Sequence, residues 1–500
     1  MSLNDAEPRS TIQAASAIGQ RSSGFMAAAL IGLFMFLVMA GRPINIDTAW
    51  YLVAIEKWLG GATLYVDLLE VNPPLAFYLA LPGVLLADLL GIAVTDGMFL
   101  YVAILVAGGL AWVWSLVLRS DLGWSDRWTV LAAAAVAMLV APKFYGQREH
   151  LLVVLAMPWF VSHLLGRTQS GLAAVARTSV ASLGFCLKPH FLLIPVCLTV
   201  AECLRSRSLR PVVSGSNVTI VMAGLVYVSL AALLHPAYFT QIIPIALDVY
   251  AEYSFGGATV LWTAQLWLPV LFLVVAFEGR RKGVTAVAPI VAAVVGALAA
   301  YFAQWNGFPY HLLPALSAMC FGWLWLATRS QAGTPVRLMA AGSLLALAVQ
   351  NAGFHEDRFG EELAARATEL PQPIRYMAYS TALDAAFPFV LTAGADWTGR
   401  GPALWFLPAV VNGLEAKRCE PDAERCARLR EIERIMRDHV FEDATRNDPN
   451  VLVFPKHNFF LWDPRFDIRA YLERDPRFRS WMGGFELVED GPGYSLWVRR

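Results

Sequence analysis

The stretch Asn45-Ile46-Asp47-Thr48-Ala49-Trp50-Tyr51 follows the first long apolar run of the chain, which covers about 24–41. It places the carboxylate of Asp47 just beyond the end of a predicted helix that is long enough to cross a bilayer of ~30 Å. A charge at this boundary costs little free energy, whereas deeper in the bilayer it would cost roughly 2.5 kcal/mol or more. The stretch therefore marks the point at which the chain is predicted to leave its first membrane helix.

The composition of the 500-residue chain is that of a membrane protein. Hydrophobic residues make up 57% of the chain and its mean hydropathy is +0.51, whereas about half of the residues of a soluble protein are apolar. The formal net charge is zero, so the strongly basic surface of a nucleic-acid-binding protein is excluded. Charged residues are sparse up to about residue 351 and dense afterwards. This shift predicts a membrane part followed by a water-soluble part.

Apolar runs of membrane-spanning length recur throughout the first part of the chain. We predict about eleven transmembrane helices, at about 24–41, 97–118, 128–142, 150–166, 171–187, 191–204, 212–234, 259–277, 284–303, 311–328 and 336–351. A further run at 73–92 opens with Pro73-Pro74 and contains Pro82 and Asp88. It is either another span or a helix lying along the membrane surface.

The distribution of basic residues decides between these two interpretations. If 73–92 lies on the surface and the N-terminus is cytoplasmic, alternate loops contain Arg119 and Arg127; Arg167 and Arg177; Arg205, Arg207 and Arg210; Arg280, Arg281 and Lys282; and Arg329 and Arg337. Cytoplasmic loops are enriched in lysine and arginine. The chain is therefore predicted to be a multi-pass protein of the bacterial inner membrane, with the opposite loops and the C-terminal part in the periplasm.

The predicted organisation has three parts. Residues 1–23 form a cytoplasmic tail, 24–351 form the transmembrane domain with a first periplasmic loop at 43–96, and 352–500 form a small periplasmic α/β domain. In the last part, 419–440 has the pattern of an amphipathic helix. Short strands are predicted at 451–454, 485–488 and 495–498.

The first periplasmic loop carries the first group of candidate site residues. Asp47 is either a general base that takes a proton from an acceptor hydroxyl or the N-cap of the helix that follows. Asp67, Glu70 and Asn72 precede Pro73-Pro74. They either bind sugar hydroxyls or a cation, or form a polar loop ahead of a helix that starts with proline.

Three further polar segments are predicted on the same face. Gln147-Arg148-Glu149-His150 follows Lys143, and the two cations suit a phosphate, since arginine binds phosphate through a bidentate fork. The alternative is an interfacial loop whose charges reach toward water. Lys188 and His190 form the next segment, where the lysine is either a phosphate ligand or a helix-end anchor. Gln304, Tyr310 and His311 form the last, which suits either sugar binding or the aromatic belt of the membrane interface.

The cysteines include one pair with an open interpretation. Cys419 and Cys426 are seven residues apart, and a regular helix would hold their Cα atoms about 10 Å apart, beyond the range of a disulfide. A bridge therefore requires a break in the helix near Pro421. No cysteine–histidine cluster of the kind that binds a metal appears in the sequence.

The order of these motifs resembles the C-type integral-membrane glycosyltransferases (GT-C), in particular the protein O-mannosyltransferase and lipid A aminoarabinose transferase branch. The resemblance covers roughly residues 24–350 and is carried by Asp47, Asn72-Pro73-Pro74-Leu75, Gln147 to His150, and Gly307 to Pro314. Two positions depart from the family pattern. Thr48 follows Asp47 where members often have a second acid, and Asn72 stands where some have lysine or histidine.

The resemblance implies a sugar donor carried on a polyprenyl phosphate and a glycan, lipid or protein acceptor with a free hydroxyl. The hydroxyl attacks the anomeric carbon with inversion, and the lipid phosphate leaves. Asp47 would be the general base, with Glu149 among the candidates for the second acid. Arg148, Lys188 and His311 would stabilise the leaving phosphate. The family sometimes uses a divalent metal ion, but the residues give no metal site and no certain cofactor.

Two other functions are compatible with parts of the sequence. A transporter or flippase of a lipid-linked sugar would do no chemistry, but transporters usually place charges near the middle of the bilayer. In this chain the polar residues cluster at one predicted face. A scaffold that acts only through 352–500 would leave the polar loops of the membrane part without a role.

Overall fold

The computed structural model describes residues 7–166 and 171–500, so Arg167 and residues 1–6 of the predicted tail lie outside the described residues. The helices are α1 Glu7–Met39, α2 Ile46–Leu59, α3 Leu75–Leu90, α4 Val94–Leu118, α5 Trp124–Leu139, α6 Arg148–Leu164, α7 Leu172–Phe185, α8 Leu193–Ser206, α9 Gly215–Leu234, α10 Ile243–Val249, α11 Gly257–Ala264, α12 Trp267–Arg281, α13 Val287–Gln304, α14 Leu313–Thr328, α15 Gly333–Asn351, α16 Arg358–Ala364, α17 Phe389–Thr392, α18 Leu407–Val410, α19 Ala423–Arg446, α20 Ile468–Leu472 and α21 Pro476–Met482. The strands are β1 Arg375–Ala378, β2 Asp396–Trp397, β3 Val451–Pro455, β4 Phe485–Asp490 and β5 Tyr494–Arg499.

The chain is a polytopic helical membrane protein, as its composition predicts. Within the described residues, eight helical segments are long and apolar enough to cross a membrane: Arg21–Met39, Val94–Leu118, Pro189–Ser206, Gly215–Leu234, Gly257–Arg281, Val287–Gln304, Pro309–Thr328 and Ser330–Asn351. The other three predicted runs coincide with α5, α6 and α7, which have 16, 17 and 14 residues. The predicted count of about eleven spans, the surface position of α3 and the sidedness of the loops stay predictions.

The chain divides into two compact units. The bundle unit comprises Met1–Gly41, Asp96–Tyr227 and Thr259–Phe354, and the mixed unit comprises Arg42–Thr95, Val228–Ala258 and His355–Arg500. The first loop thus packs with the C-terminal residues, although about 260 residues of sequence separate the two segments. The domains predicted from the sequence are consecutive segments, whereas each compact unit combines three separate segments. The predicted domain boundaries stay predictions.

A glycine allows the close packing of α8 against α13 in the bundle unit. A Cβ atom added at Gly296 would lie 2.7 Å from the Cα atom of Ile194 and 2.8 Å from the carbonyl oxygen of Leu193. Both are backbone atoms, so no side-chain rotation relieves the contact. Small residues at helix crossings allow such backbone approach in membranes. Lys188 lies just before α8 and Gln304 is the last residue of α13, so this contact helps to fix the positions of both.

Gly296→Ala is therefore expected to lower the thermal stability of the purified protein, because overpacking typically costs about 1–3 kcal/mol. Gly224→Ala is the matched control, since nothing lies within 4 Å of its added Cβ atom. That change is expected to leave the protein as stable as the parent or slightly more stable. Thermal unfolding in detergent compares the two variants. Equal midpoints would show that the α8–α13 crossing tolerates the extra methyl group.

The mixed unit contains a five-stranded sheet with the order β2-β1-β3-β5-β4. Strands β2, β1 and β3 are parallel neighbours, and β5 pairs antiparallel with both β3 and β4. The predicted strands at 451–454, 485–488 and 495–498 coincide with β3, β4 and β5. The sequence pattern does not predict β1 and β2, because these strands have four and two residues and lack a bounded period-two pattern. The sheet confirms the α/β character predicted for the C-terminal part.

A disulfide joins Cys419 to Cys426, with their Cα atoms 5.2 Å apart. The predicted helix 419–440 is wrong at its start, because α19 begins at Ala423 with Asp422 as its N-cap. The turn that contains Cys419 and Pro421 therefore supplies the break that a bridge requires. The unfolded, unreduced protein is expected to expose four thiols, those of Cys186, Cys197, Cys203 and Cys320. Counting maleimide adducts by mass spectrometry checks this, and six adducts without reduction would contradict the bridge.

Candidate functional site

The bundle unit contains a buried cluster of polar side chains centred on Lys188. The ammonium group of Lys188 lies 2.5 Å from Oε1 of Glu149, 3.0 Å from Nε2 of His311 and 3.2 Å from Oε1 of Gln304. Its nitrogen also lies 5.5 Å from the centre of the Tyr310 ring. Glu149 is fully buried, and Lys188 and His311 are nearly so. The structure thus brings together residues that the sequence separates by more than 160 positions.

Local backbone features present these side chains to one another. Glu149 is in the first turn of α6, and Lys188 precedes a 3₁₀ turn at Pro189–Leu192 that leads into α8. Gln304 ends α13, where Trp305 adopts the left-handed conformation with φ 50°. A second 3₁₀ turn, Pro309–Leu312, holds His311. Prolines at the starts of these turns set where each helix begins.

The cluster carries more positive than negative charge. Arg148 is buried next to Glu149 in the sequence, and both Arg148 and Lys188 lie within electrostatic reach of His190 and His311. Lys188 and Arg148 together outweigh the single carboxylate of Glu149. A buried group with excess cations is suited to an anion such as phosphate, which arginine binds through its bidentate fork and lysine binds as a point charge.

The remaining predicted residues of this segment have other surroundings. His150 is held by the backbone, because its Nδ1 accepts from the amide of Gly146 and its Nε2 lies 2.8 Å from the carbonyl oxygen of Met138. Gln147 is buried at the N-cap of α6 but makes no side-chain cap bond. The Lys143 nitrogen lies 5.2 Å from the centre of the neighbouring Phe144 ring. Their predicted roles in binding stay predictions.

In the mixed unit, Asp47 lies in the first turn of α2 and is partly exposed. The alternative prediction that Asp47 caps this helix is wrong, because Asn45 is the N-cap. The Asn45 side chain accepts from the amide of Thr48 at 3.0 Å and from its hydroxyl at 2.9 Å. The Asp47 carboxylate therefore does not cap α2. Its role as a general base stays a prediction.

Glu70 links the first loop to α2 by hydrogen bonds. One of its carboxylate oxygens accepts from the indole of Trp50 at 2.6 Å, and the other accepts from the amide and the side chain of Asn72. The two predicted residues Glu70 and Asn72 are thus brought together. Asp67 is exposed and accepts from the amide of Thr63, a contact within its own turn.

Two histidines of the mixed unit, His235 and His355, are not among the residues predicted from the sequence. His235 lies 2.9 Å from the Tyr78 hydroxyl, within an aromatic group formed also by Trp58, Tyr65 and Tyr238. Burial lowers the pKa of His235, which favours the neutral form of its ring. The available signal was a lone histidine directly after a long apolar run.

His355 is the second missed residue, and it lies near Asp47. Burial lowers the pKa of His355, while the carboxylates of Asp47 and Glu356 oppose that shift. A neutral imidazole beside a candidate general base is a suitable hydrogen-bond partner for that base or for a hydroxyl. In the sequence, His355 only follows the last apolar run.

A resident metal ion does not fit the side chains that the structure describes. Outside the gaps at 1–6 and 167–170, no group of three or more histidine, cysteine, aspartate or glutamate residues is arranged to hold a metal ion. Glu70 and Glu149 make the hydrogen bonds given above. We therefore assign no chemical step to a metal.

Comparison with known proteins assigns the fold. No protein-family model and no curated protein sequence matches the chain. Among solved structures it is similar to ArnT from Cupriavidus metallidurans bound to undecaprenyl phosphate, with 14% identity over 95% of this chain and 97% of that chain and a TM-score of 0.53. The chain has the GT-C fold.

A second solved structure, the arabinofuranosyltransferase AftD from Mycobacteria, has 14% identity over 96% of this chain and 40% of that chain, with a TM-score of 0.43. The match to ArnT confirms the fold predicted from the motif order, a helical membrane protein with a small C-terminal sheet. Because the match covers 95% of this GT-C chain, ArnT has counterparts for both of its compact units.

Proposed function

We propose that this protein is a glycosyltransferase that moves a sugar from a polyprenyl-phosphate donor to an acceptor hydroxyl on the periplasmic face of the inner membrane. The buried cluster around Lys188, in a chain with the GT-C fold, is the observation that carries the proposal. ArnT, which shares the fold, was solved bound to undecaprenyl phosphate. A buried, net cationic group is the chemistry that such a lipid phosphate requires.

Lys188 and Arg148 would neutralise the charge that grows on the phosphate as the bond to the sugar breaks. Donors fixed before the reaction stabilise such charge without reorganising, and one such group is typically worth about 10²–10³-fold in rate. A phosphate oxygen would replace Gln304, whose oxygen is the most distant of the three acceptors around the Lys188 ammonium at 3.2 Å. Glu149 would hold Lys188 in position and keep it charged.

Asp47 would act as the general base on the acceptor. As the acceptor oxygen forms its bond to the anomeric carbon, the bond from that carbon to the phosphate oxygen breaks. The hydroxyl proton passes to the Asp47 carboxylate, and the polyprenyl phosphate leaves with the bonding electron pair. His355, which lies near Asp47 in the mixed unit, would help to orient the carboxylate or the hydroxyl. Attack from the face opposite the leaving group gives inversion at the sugar.

The proposal is tested in cells that lack the gene and carry either the parent protein or a variant. Mass spectrometry of envelope glycans is expected to show a sugar modification that requires the parent protein. Purified protein in vesicles, supplied with a labelled polyprenyl-phosphate sugar and an envelope extract as the acceptor, is expected to release polyprenyl phosphate. Translocation of the labelled lipid without a new glycosidic bond would instead identify a flippase.

A further inference from the structure

The bundle unit contains a crevice that the proposed transfer does not use. It lies where the C-terminal ends of α6, α8 and α12 meet the start of α13. One compartment, of about 450 Å³, is bordered by His163, Glu202, Arg205 and Arg280. A second compartment, of about 860 Å³, has a mainly apolar lining. The two share Arg205 and Arg280, so the arginines stand where a polar space and an apolar space meet.

The two arginines are available for an external anion. Both are exposed, and within 7–166 and 171–500 neither has a carboxylate within 4 Å. The carboxylate of Glu202 borders the same compartment and lies 2.8 Å from Nδ1 of His163, and Arg205 lies within electrostatic reach of it but does not form a close ion pair with it. Arg281, the neighbour of Arg280, differs in that it binds Glu278 at 3.2 Å. The shared border of the crevice therefore presents two cations that are not neutralised by a close ion pair.

The apolar compartment opens along the side of the bundle unit. Val200 and Leu204 of α8 and Val274 and Phe277 of α12 are each more than half exposed there. These helices belong to segments long and apolar enough to cross a membrane, and a compartment that opens from the side of such segments faces hydrocarbon. A compartment of this shape beside two cations matches a molecule that has an anionic head and a hydrocarbon chain.

We propose that this crevice binds one anionic phospholipid of the surrounding membrane. The lipid phosphate would contact Arg205 and Arg280, and an acyl chain would fill the apolar compartment. Basic pockets between membrane helices bind anionic head groups in this way. A soluble anion would leave the apolar compartment unused, and a zwitterionic lipid would bring a second, positive charge toward the arginines. The proposed site shares no residue with the Lys188 cluster or with Asp47, so it stands whether or not the transfer reaction is correct.

The test uses the full-length protein, purified in detergent and freed of lipid. It is titrated with phosphatidylglycerol or with phosphatidylcholine of the same acyl chains, while native mass spectrometry counts the lipids retained. The parent is expected to retain one phosphatidylglycerol in preference to phosphatidylcholine. Each arginine replaced in R205Q/R280Q is expected to weaken that binding by about fivefold. R210Q, an exposed arginine just beyond α8, is the matched control and is expected to bind as the parent does.

A second variant probes the apolar compartment. Ala201 borders both compartments, so A201F is expected to exclude the acyl chain and to reduce phosphatidylglycerol retention without removing a charge. Equal retention of the two lipids by the parent would overturn the proposal. So would unchanged binding in R205Q/R280Q, competition by inorganic phosphate alone at the same concentration, or preferential retention of polyprenyl phosphate. If R205Q/R280Q does not fold, the single variants are each expected to show the fivefold loss.

Discussion

Replacing Lys188 with methionine is expected to abolish sugar transfer and to destabilise the bundle unit. Transfer should fall by at least about 10²-fold, because the growing charge on the phosphate loses one of its two proposed cations. Stability should fall by about 3–5 kcal/mol, because the carboxylate of Glu149 is then buried without its partner. Glycan mass spectrometry in complemented cells measures the first effect, and thermal unfolding in detergent measures the second.

A double variant separates these two effects. In K188M/E149L both charges are gone, and replacing a buried ion pair with apolar groups is often neutral for stability. The double variant is therefore expected to recover most of the lost stability while it stays inactive. K282M is the matched control, because Lys282 is exposed and 3.7 Å from Glu278 in a surface ion pair. Transfer at the parent rate by K188M, or recovered transfer in the double variant, would contradict a role for Lys188 in the reaction.

Replacing Asp47 with asparagine is expected to remove transfer while leaving the protein folded. A general base typically contributes about 10²–10⁴-fold to a rate, and asparagine cannot accept the proton. Stability should change little, because Asp47 is partly exposed, asparagine has the same shape and can also accept hydrogen bonds, and the N-cap of α2 is Asn45. Asn45→Ala should do the opposite and lower stability by about 1 kcal/mol. The same two measurements, glycan analysis and thermal unfolding, apply to both variants.

Asp490→Asn is the matched control for the loss of one carboxylate in the mixed unit. Asp490 is exposed and pairs with Lys456 at 2.6 Å on the surface, where an ion pair contributes little. This variant is expected to transfer sugar as the parent does. If purified Asp47→Asn also transfers at the parent rate, Asp47 is not the base, and His355 and Glu70 of the same unit become the groups to test.

The helices were predictable because their signal is local. Each predicted apolar run falls on one helix or, at 259–277, on the two helices α11 and α12, since a bilayer or a buried bundle requires apolar residues over a fixed length of chain. The strands β3, β4 and β5 were predictable for a similar reason. β2 was missed because its two residues are too few to form a pattern, and its place in the sheet is fixed by pairing with β1.

The candidate site was predictable only as a set of separate pieces. Lys188 was chosen because it interrupts nearly continuous apolar sequence, and Gln304 and His311 were chosen because they lie in a polar and aromatic loop predicted on the same face. Nothing in the sequence indicated that Gln304, His311 and Glu149 would surround the ammonium group of Lys188. The start of α2 shows that a sequence can also leave a local contact undecided, here between Asn45 and Asp47. Asn45 and Asp47 are both good capping residues, and only the backbone conformation at Asn45 shows which of them begins the helix.

The sequence by itself determined a multi-pass helical membrane protein, a charged C-terminal α/β part and the motif order of the GT-C fold. The first two follow from composition and from patterns that are complete within about twenty residues, and the third follows from a resemblance carried by short motifs in order along 24–350. The tertiary structure decided which distant polar residues meet, that the first loop packs with the C-terminal residues, and that Cys419 reaches Cys426. Such contacts depend on how helices cross and turns redirect the chain, as at Gly296 and Pro421. Backbone geometry, rather than the local hydrophobic pattern, sets those distances.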